Sequence, residues 1–221
     1  MRYSDPADVK KFGKRECVRS VFDFLANYVV LLALVVLFIW LNTLRLPGEN
    51  FFSYMAEHFN TLVYLMASVF LLCFTIYFYY FFEDKGVLAT QKSIWLIFLM
   101  LDVSILVCYF FGYFFNIYSR PVAMLALLAL MLLGRRDAIF LNVIFALLMF
   151  AIDNFSNFSE INEYVNALPG TPLMAFSAGM IAIFVGNRVQ TRLRSFLTGF
   201  AVCAPILLMV ACLEFNRGME M

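Results

Sequence analysis

Long apolar runs alternate with short polar connections along this chain. The runs Phe24–Leu41, Leu62–Phe82, Ile94–Ile117 and Phe196–Leu213 each approach or exceed the length a helix needs to cross a bilayer, about 20 residues with a range of about 17–25. Three further runs, Pro121–Leu133, Ala138–Ile152 and Leu173–Gly186, are shorter. At about 1.5 Å of rise per residue, the shortest of them reaches only about 20 Å as a helix. Such runs must borrow flanking residues, thin the bilayer or sit inside a bundle. The pattern predicts an all-α polytopic transmembrane bundle of about seven helices. A basic segment over 1–21 precedes a helical domain over 22–213, and a short tail occupies 214–221.

The charges fix the direction of crossing. With seven spans and the N-terminus inside, thirteen of the 16 Lys and Arg residues fall on the cytoplasmic side. Only Arg45, Arg120 and Arg217 fall outside. Lys and Arg, not Asp and Glu, set orientation, so this asymmetry supports all seven spans. Losing one short span would put Arg188, Arg192 and Arg194 outside. A re-entrant hairpin over 121–152 keeps the parity but buries Gly134-Arg135-Arg136-Asp137, and each intramembrane charge costs at least about 2.5 kcal/mol. Crossing is therefore favoured. The first apolar run follows the basic segment without a small-x-small cleavage pattern, which predicts a retained signal anchor.

Composition agrees. Of 221 residues, 64% are apolar and 14% charged, too few charges to cover a water-facing surface. The lipid bilayer is the partner this demands. A net charge of +1 argues against nucleic acid. The 27 Phe suit lipid-facing and packing surfaces, and the Tyr-rich stretch Ile76–Tyr80 suits a membrane interface. The five Cys residues are scattered, with no CxxC pair, and suggest neither a disulfide framework nor zinc.

Few residues carry candidate chemistry. Asp102 is the acidic residue well inside an apolar run. It reads either as a proton or cation site or as a structural hydrogen bond, with Asn142 and Ser104 as candidate partners. Asp102, Asn142 and Pro121 make up the candidate intramembrane polar site. His58, the single histidine, reads as a solvated residue of the first outer loop, since histidine metal sites need several ligands. Arg188, Arg192 and Arg194 form a candidate cytoplasmic basic loop, read either as an anionic-lipid or partner contact or as an ordinary topology signal. Ala175, Gly179, Ala182 and Gly186 give small residues at helical spacing, which suits close packing within the chain or dimerisation. Asn154-Phe155-Ser156 and Asn157-Phe158-Ser159 have the form of glycosylation triplets. No phosphate-binding glycine loop, nucleophile elbow or zinc-protease motif occurs, so no catalytic residue, metal ligand or cofactor is expected.

The second half resembles the membrane region of the bacterial seven-transmembrane receptors with an intracellular HD hydrolase. The resemblance runs through Arg120-Pro121-Val122-Ala123-Met124-Leu125-Ala126-Leu127-Leu128 and the tight turn Leu133-Gly134-Arg135-Arg136-Asp137-Ala138-Ile139. It resumes at Ala178–Val185 and at Asn187–Gly199, and is looser over 62–117. It implies an anchor helix, a large extracellular domain, a membrane bundle and a cytoplasmic HD domain that hydrolyses cyclic-di-AMP. The sequence departs from that plan. About 20 residues separate its first two spans, and it stops at Glu214–Met221, where the resemblance implies a further helix and the hydrolase. The expectation is a non-catalytic sensor or scaffold module of the bacterial inner membrane without those two domains, working with a separate cytoplasmic output protein or as a homodimer. The rival reading is the substrate-binding subunit of a vitamin-type transporter, and a weaker one is an envelope-assembly scaffold. The topology has a direct check. A phosphatase reporter that folds only outside the cytoplasm should be active when fused after Gly48 or Asn162 and inactive after Gly86 or Asn187.

Overall fold

The computed structural model describes residues 14–44, 51–83, 91–115, 117–155, 170–186 and 192–219. Among them there is no strand. Eight helices follow in order: α1 (Lys14–Thr43), α2 (Phe51–Glu57), α3 (Phe59–Glu83), α4 (Gln91–Phe114), α5 (Met124–Leu132), α6 (Arg135–Phe155), α7 (Gly170–Gly186) and α8 (Arg192–Met219). A single 3₁₀ turn, Ile117–Ser119, lies between α4 and α5. Helix is what such a sequence must form, because lipid offers the backbone no hydrogen bonds and only helices and closed barrels satisfy it internally.

Each of the seven apolar runs contains a helix, but the lengths redistribute. Ala138–Ile152 looked too short. It extends at both ends into α6, whose span Arg135–Asn154 is long and apolar enough to cross, as are those of α1, α3 and α4. Helix α7 and the apolar stretch Thr198–Cys212 of α8 are shorter. Pro121–Leu133 is helical only over the nine residues of α5, about 14 Å by the helical rise. One face of that run packs into the bundle, with Leu125, Ala126 and Ala129 fully buried, while Met131 and Leu132 at its end are exposed. Within the first polar connection the chain forms α2, which the hydropathy pattern did not show. His58 is the single-residue break between α2 and α3. It is half-buried against the Tyr54 ring, centroids 4.5 Å apart, and not the solvated loop residue expected.

Helix α6 is the spine. It packs on α3, α4, α5 and α7, and 61% of its apolar span is buried against 22% for α3. Phe145, Leu141 and Leu148 fill the centre. Helix α1 packs on α3 and α4, and α8 packs on α7. The outer face of α3 leaves Tyr64, Leu71, Phe74 and Phe78 exposed, the face that lipid covers. The turn from α5 to α6 is Leu133-Gly134, with Gly134 at φ 116°, a left-handed conformation that glycine adopts without steric cost. Its amide caps the Ala129 carbonyl and its own carbonyl accepts from Ala138, so one residue both ends α5 and begins α6.

The small residues of α7 serve packing within the chain. Ala175, Ala178 and Ala182 are fully buried, and Gly179 lies directly on the Asn142 side chain of α6. The Asn142 amide donates to the Phe176 carbonyl at 3.1 Å across that contact. A methyl group at Gly179 would overlap the Asn142 amide. Gly179→Ala should therefore force α6 and α7 apart and destabilise the bundle by about 1–3 kcal/mol, the usual range for overpacking. Thermal unfolding of the purified protein in detergent reads this as a lowered Tm, while Gly199→Ala, where the added carbon meets nothing, leaves it unchanged.

Candidate functional site: an ion pair at the α4–α5 connection

From Ile117 to Ala123 the described chain is out of the α-helix, a 3₁₀ turn over Ile117–Ser119 followed by tight turns, while still packed against the bundle. Arg120, Val122 and Ala123 are all buried there. Non-helical backbone at such depth is tolerated only where protein supplies its hydrogen bonds. Local turns supply part of them: Val122 N–H donates to the Arg120 carbonyl at 2.8 Å, and Met124 N–H to the Pro121 carbonyl at 3.0 Å. The Ser119 hydroxyl donates to the Phe111 carbonyl at 3.3 Å and ties the stretch to α4.

A charge pair pins it to the spine. Arg120 Nη1 donates to Asp153 Oδ2, near the C-terminal end of α6, at 2.6 Å, and each side chain is 1% exposed. Gly112 of α4 makes room, since a Cβ there would collide with the guanidinium. Cys108, one turn earlier, lies within the field of both charges. Beside it Tyr109 stacks on Phe38 of α1 at 3.8 Å and donates its hydroxyl to the Phe38 carbonyl at 3.0 Å. The outer ends of α1, α4, α5 and α6 therefore meet around this pair.

The other end of α6 carries a second cluster. Arg136 makes a two-armed ion pair with Glu83 at the end of α3. Tyr79 donates to Asp137 Oδ1 at 3.3 Å and stacks on Phe140 at 3.8 Å. Arg135 lies over the Phe184 ring of α7, 4.6 Å from its centroid. The turn Gly134–Asp137 thus stands level with the end of α3 that the charge pattern assigns to the cytoplasm. The Arg136–Glu83 pair is partly exposed, and such pairs contribute about 0–1 kcal/mol.

The residues singled out from the sequence do not assemble into one site. Asn142 is committed to α7, and Ser104 donates back to the Met100 carbonyl of its own helix at 2.7 Å. Neither is the partner of Asp102 that the sequence suggested. Pro121 stands at the other end, next to Arg120. Asp102 instead lies near Cys73 of α3, and its Oδ1 is buried with no hydrogen-bond partner among the described residues. Arg188 falls outside the described residues, as do the side chains of Arg192 and Arg194, although both of those residues lie in the first turn of α8. Among the described residues no group of three metal-ligating side chains occurs.

Sequence reasoning missed two features. Arg120 was one of three basic residues on the wrong side of the charge asymmetry, and that exception marked a buried pair. In α1, Asp23 and Asn27 stand one turn apart on one face. Asp23 accepts from Trp95 Nε1 of α4 at 3.2 Å, and Asn27 donates to the Tyr77 hydroxyl of α3 at 3.1 Å. Their i, i+4 spacing inside a span was the available signal.

An all-helical bundle of the described residues, with four membrane-length helices and ion pairs at both ends of a central helix, defines a polytopic membrane protein. Residues 59–221 match the family described as 7TM receptor with intracellular HD hydrolase, and the chain belongs to that family. No curated protein and no solved structure matches it. The match opens at α3, so α1 lies outside it yet packs on α3 and α4 as an integral part of the bundle.

Removing one partner of a buried pair strands the other charge, at about 3–5 kcal/mol. Arg120→Ala and Asp153→Ala should each cause a loss of that order, read from unfolding in detergent. The double variant Arg120→Met/Asp153→Leu should recover most of it.

Proposed function

We propose that this membrane receptor-type module is a non-catalytic sensor or scaffold of the bacterial inner membrane, relaying an event at its outer end to a separate cytoplasmic output protein. The observation that carries the reading is α6. One continuous 21-residue helix holds the buried Arg120–Asp153 pair near one end and the Arg136–Glu83 and Asp137–Tyr79 contacts at the other. A helix with intact hydrogen bonds transmits displacement along its axis, so a change at Asp153 moves Arg136 with it. The contacts at each end are few, polar and discrete. They are bistable in character, whereas the apolar middle resists graded deformation. Family membership supports a receptor-type role, and the HD hydrolase of the family's description supplies the chemical class of output: a cytoplasmic hydrolase in contact with the inner face.

The relay has a spectroscopic test. Met131 is 84% exposed near the inner end of α5 and serves as a reporter position. A bimane label at Met131→Cys, with the five native cysteines replaced by Ala, is expected to shift its emission when Asp153→Asn breaks the outer pair. Asn154→Ala, next to it but exposed, should leave emission unchanged. An unchanged spectrum in a folded Asp153→Asn protein would sink the relay. Copurification of an ATPase with a bound vitamin would replace it with the transport reading.

A further inference from the structure

We propose that Asp102 is a proton-binding site inside the bundle, its ligand a single proton and not a metal cation. Asp102 lies near the middle of α4, about 16 Å from the residue that opens the helix. Helices α1 and α6 both pack on α4 and on α3, and Asp102 lies within electrostatic reach of Cys73 of α3. Its Oδ1 is buried and meets no donor among the described residues. The two partners suggested by the sequence are engaged elsewhere: Ser104 donates to the Met100 carbonyl and Asn142 donates to the Phe176 carbonyl.

Hard metal ions need about six oxygen ligands. Asp102 brings one carboxyl, and no cluster of three ligating residues exists among the described residues. A proton needs a single oxygen. It also removes a charge that neither lipid nor a helix interior can solvate. The groups facing the site fit this role. Cys73 of α3 lies in the field of Asp102, and Tyr28 of α1 lies in turn in the field of Cys73. Tyr77, one turn along α3, accepts from Asn27. Asp23 of α1 is held by Trp95 and Arg19 toward the cytoplasmic end. Helix α6 offers no ionisable residue between Asp137 and Asp153, and α5 offers none. Arg19 of α1, Lys92 of α4 and Arg135 and Arg136 of α6, cations of the packed helices, all stand near the starts of their helices, away from the middle of α4. Loading and unloading the site changes the charge on α4 within reach of α3, and α1 packs on both helices. The site stands on its own geometry, whether or not α6 relays a signal.

The full chain in lipid nanodiscs is treated with dicyclohexylcarbodiimide across a pH series. This apolar reagent adds a protonated carboxyl across its C=N bond and rearranges to a stable acylurea with every atom retained. Peptide mass spectrometry then locates the label. Asp102 is expected to be modified, with a yield that falls several-fold as pH rises, while Asp153, held by Arg120, stays unmodified throughout. Asp102→Asn mimics the protonated acid in size, so it should abolish the label and keep the wild-type Tm. No label on Asp102 at any pH, or a yield independent of pH, overturns the proposal. A large drop in Tm for Asp102→Asn overturns it too, because it would mark an ionised carboxylate held by a partner.

Discussion

Non-helical backbone packed against a membrane bundle must find its hydrogen bonds in protein, and the connection between α4 and α5 shows how this chain meets that demand. The stretch is enclosed by the outer ends of α4 and α6, stitched by two local turns, and fixed by a salt bridge between Arg120 and Asp153 with both side chains withdrawn from solvent. Burying two charges is expensive, and a well-packed apolar pair is often the more stable choice. What the pair adds is geometry. It sets the level at which α5 begins relative to α6, so the short helix ends where Gly134 can turn it directly into the spine.

The remaining contacts are arranged around that spine. Small residues on α7 let it approach α6 until Gly179 touches Asn142, and the amide then bonds across to Phe176. On the opposite side α1 is attached by polar contacts spread along its length, among them Asp23 to Trp95, Asn27 to Tyr77, Tyr28 to the Met66 carbonyl, and the Phe38 carbonyl to Tyr109. Hydrogen bonds between membrane helices contribute modestly each, about 0.6 kcal/mol on average. Distributed along a helix, they fix its rotation and register, which apolar packing in lipid leaves loosely determined. Rigid attachment of α1 matters because that helix lies outside the family match and still shields the groups around Asp102.

The two ion pairs differ in burial: Arg120–Asp153 is sealed, Arg136–Glu83 is partly exposed, and one uninterrupted helix joins them. This asymmetry suits a receptor-type bundle: a perturbation that reaches the sealed pair costs several kcal/mol, while the exposed inner pair rearranges at little cost. The relay proposed above rests on this layout together with membership of the receptor family.

Hydropathy and the bias of Lys and Arg were enough to establish an all-helical membrane bundle, its seven apolar segments and the motifs of its family. Those properties depend on residue type and one-dimensional spacing, since lipid imposes the same requirement on every span. Pairing was not legible. Arg120 and Asp153 are 33 residues apart, and each sits at the edge of an apolar run, where a charge ordinarily meets water. Only the packed bundle shows that these edges are buried against each other. For the same reason Asn142, a plausible neighbour of Asp102 on paper, proved to serve α7. The rotation of α6 about its axis decides which helix its polar groups face, and tertiary packing sets that rotation. The nine-residue length of α5 was equally hidden, because a run of apolar residues reads the same whether its backbone is helical or extended and enclosed.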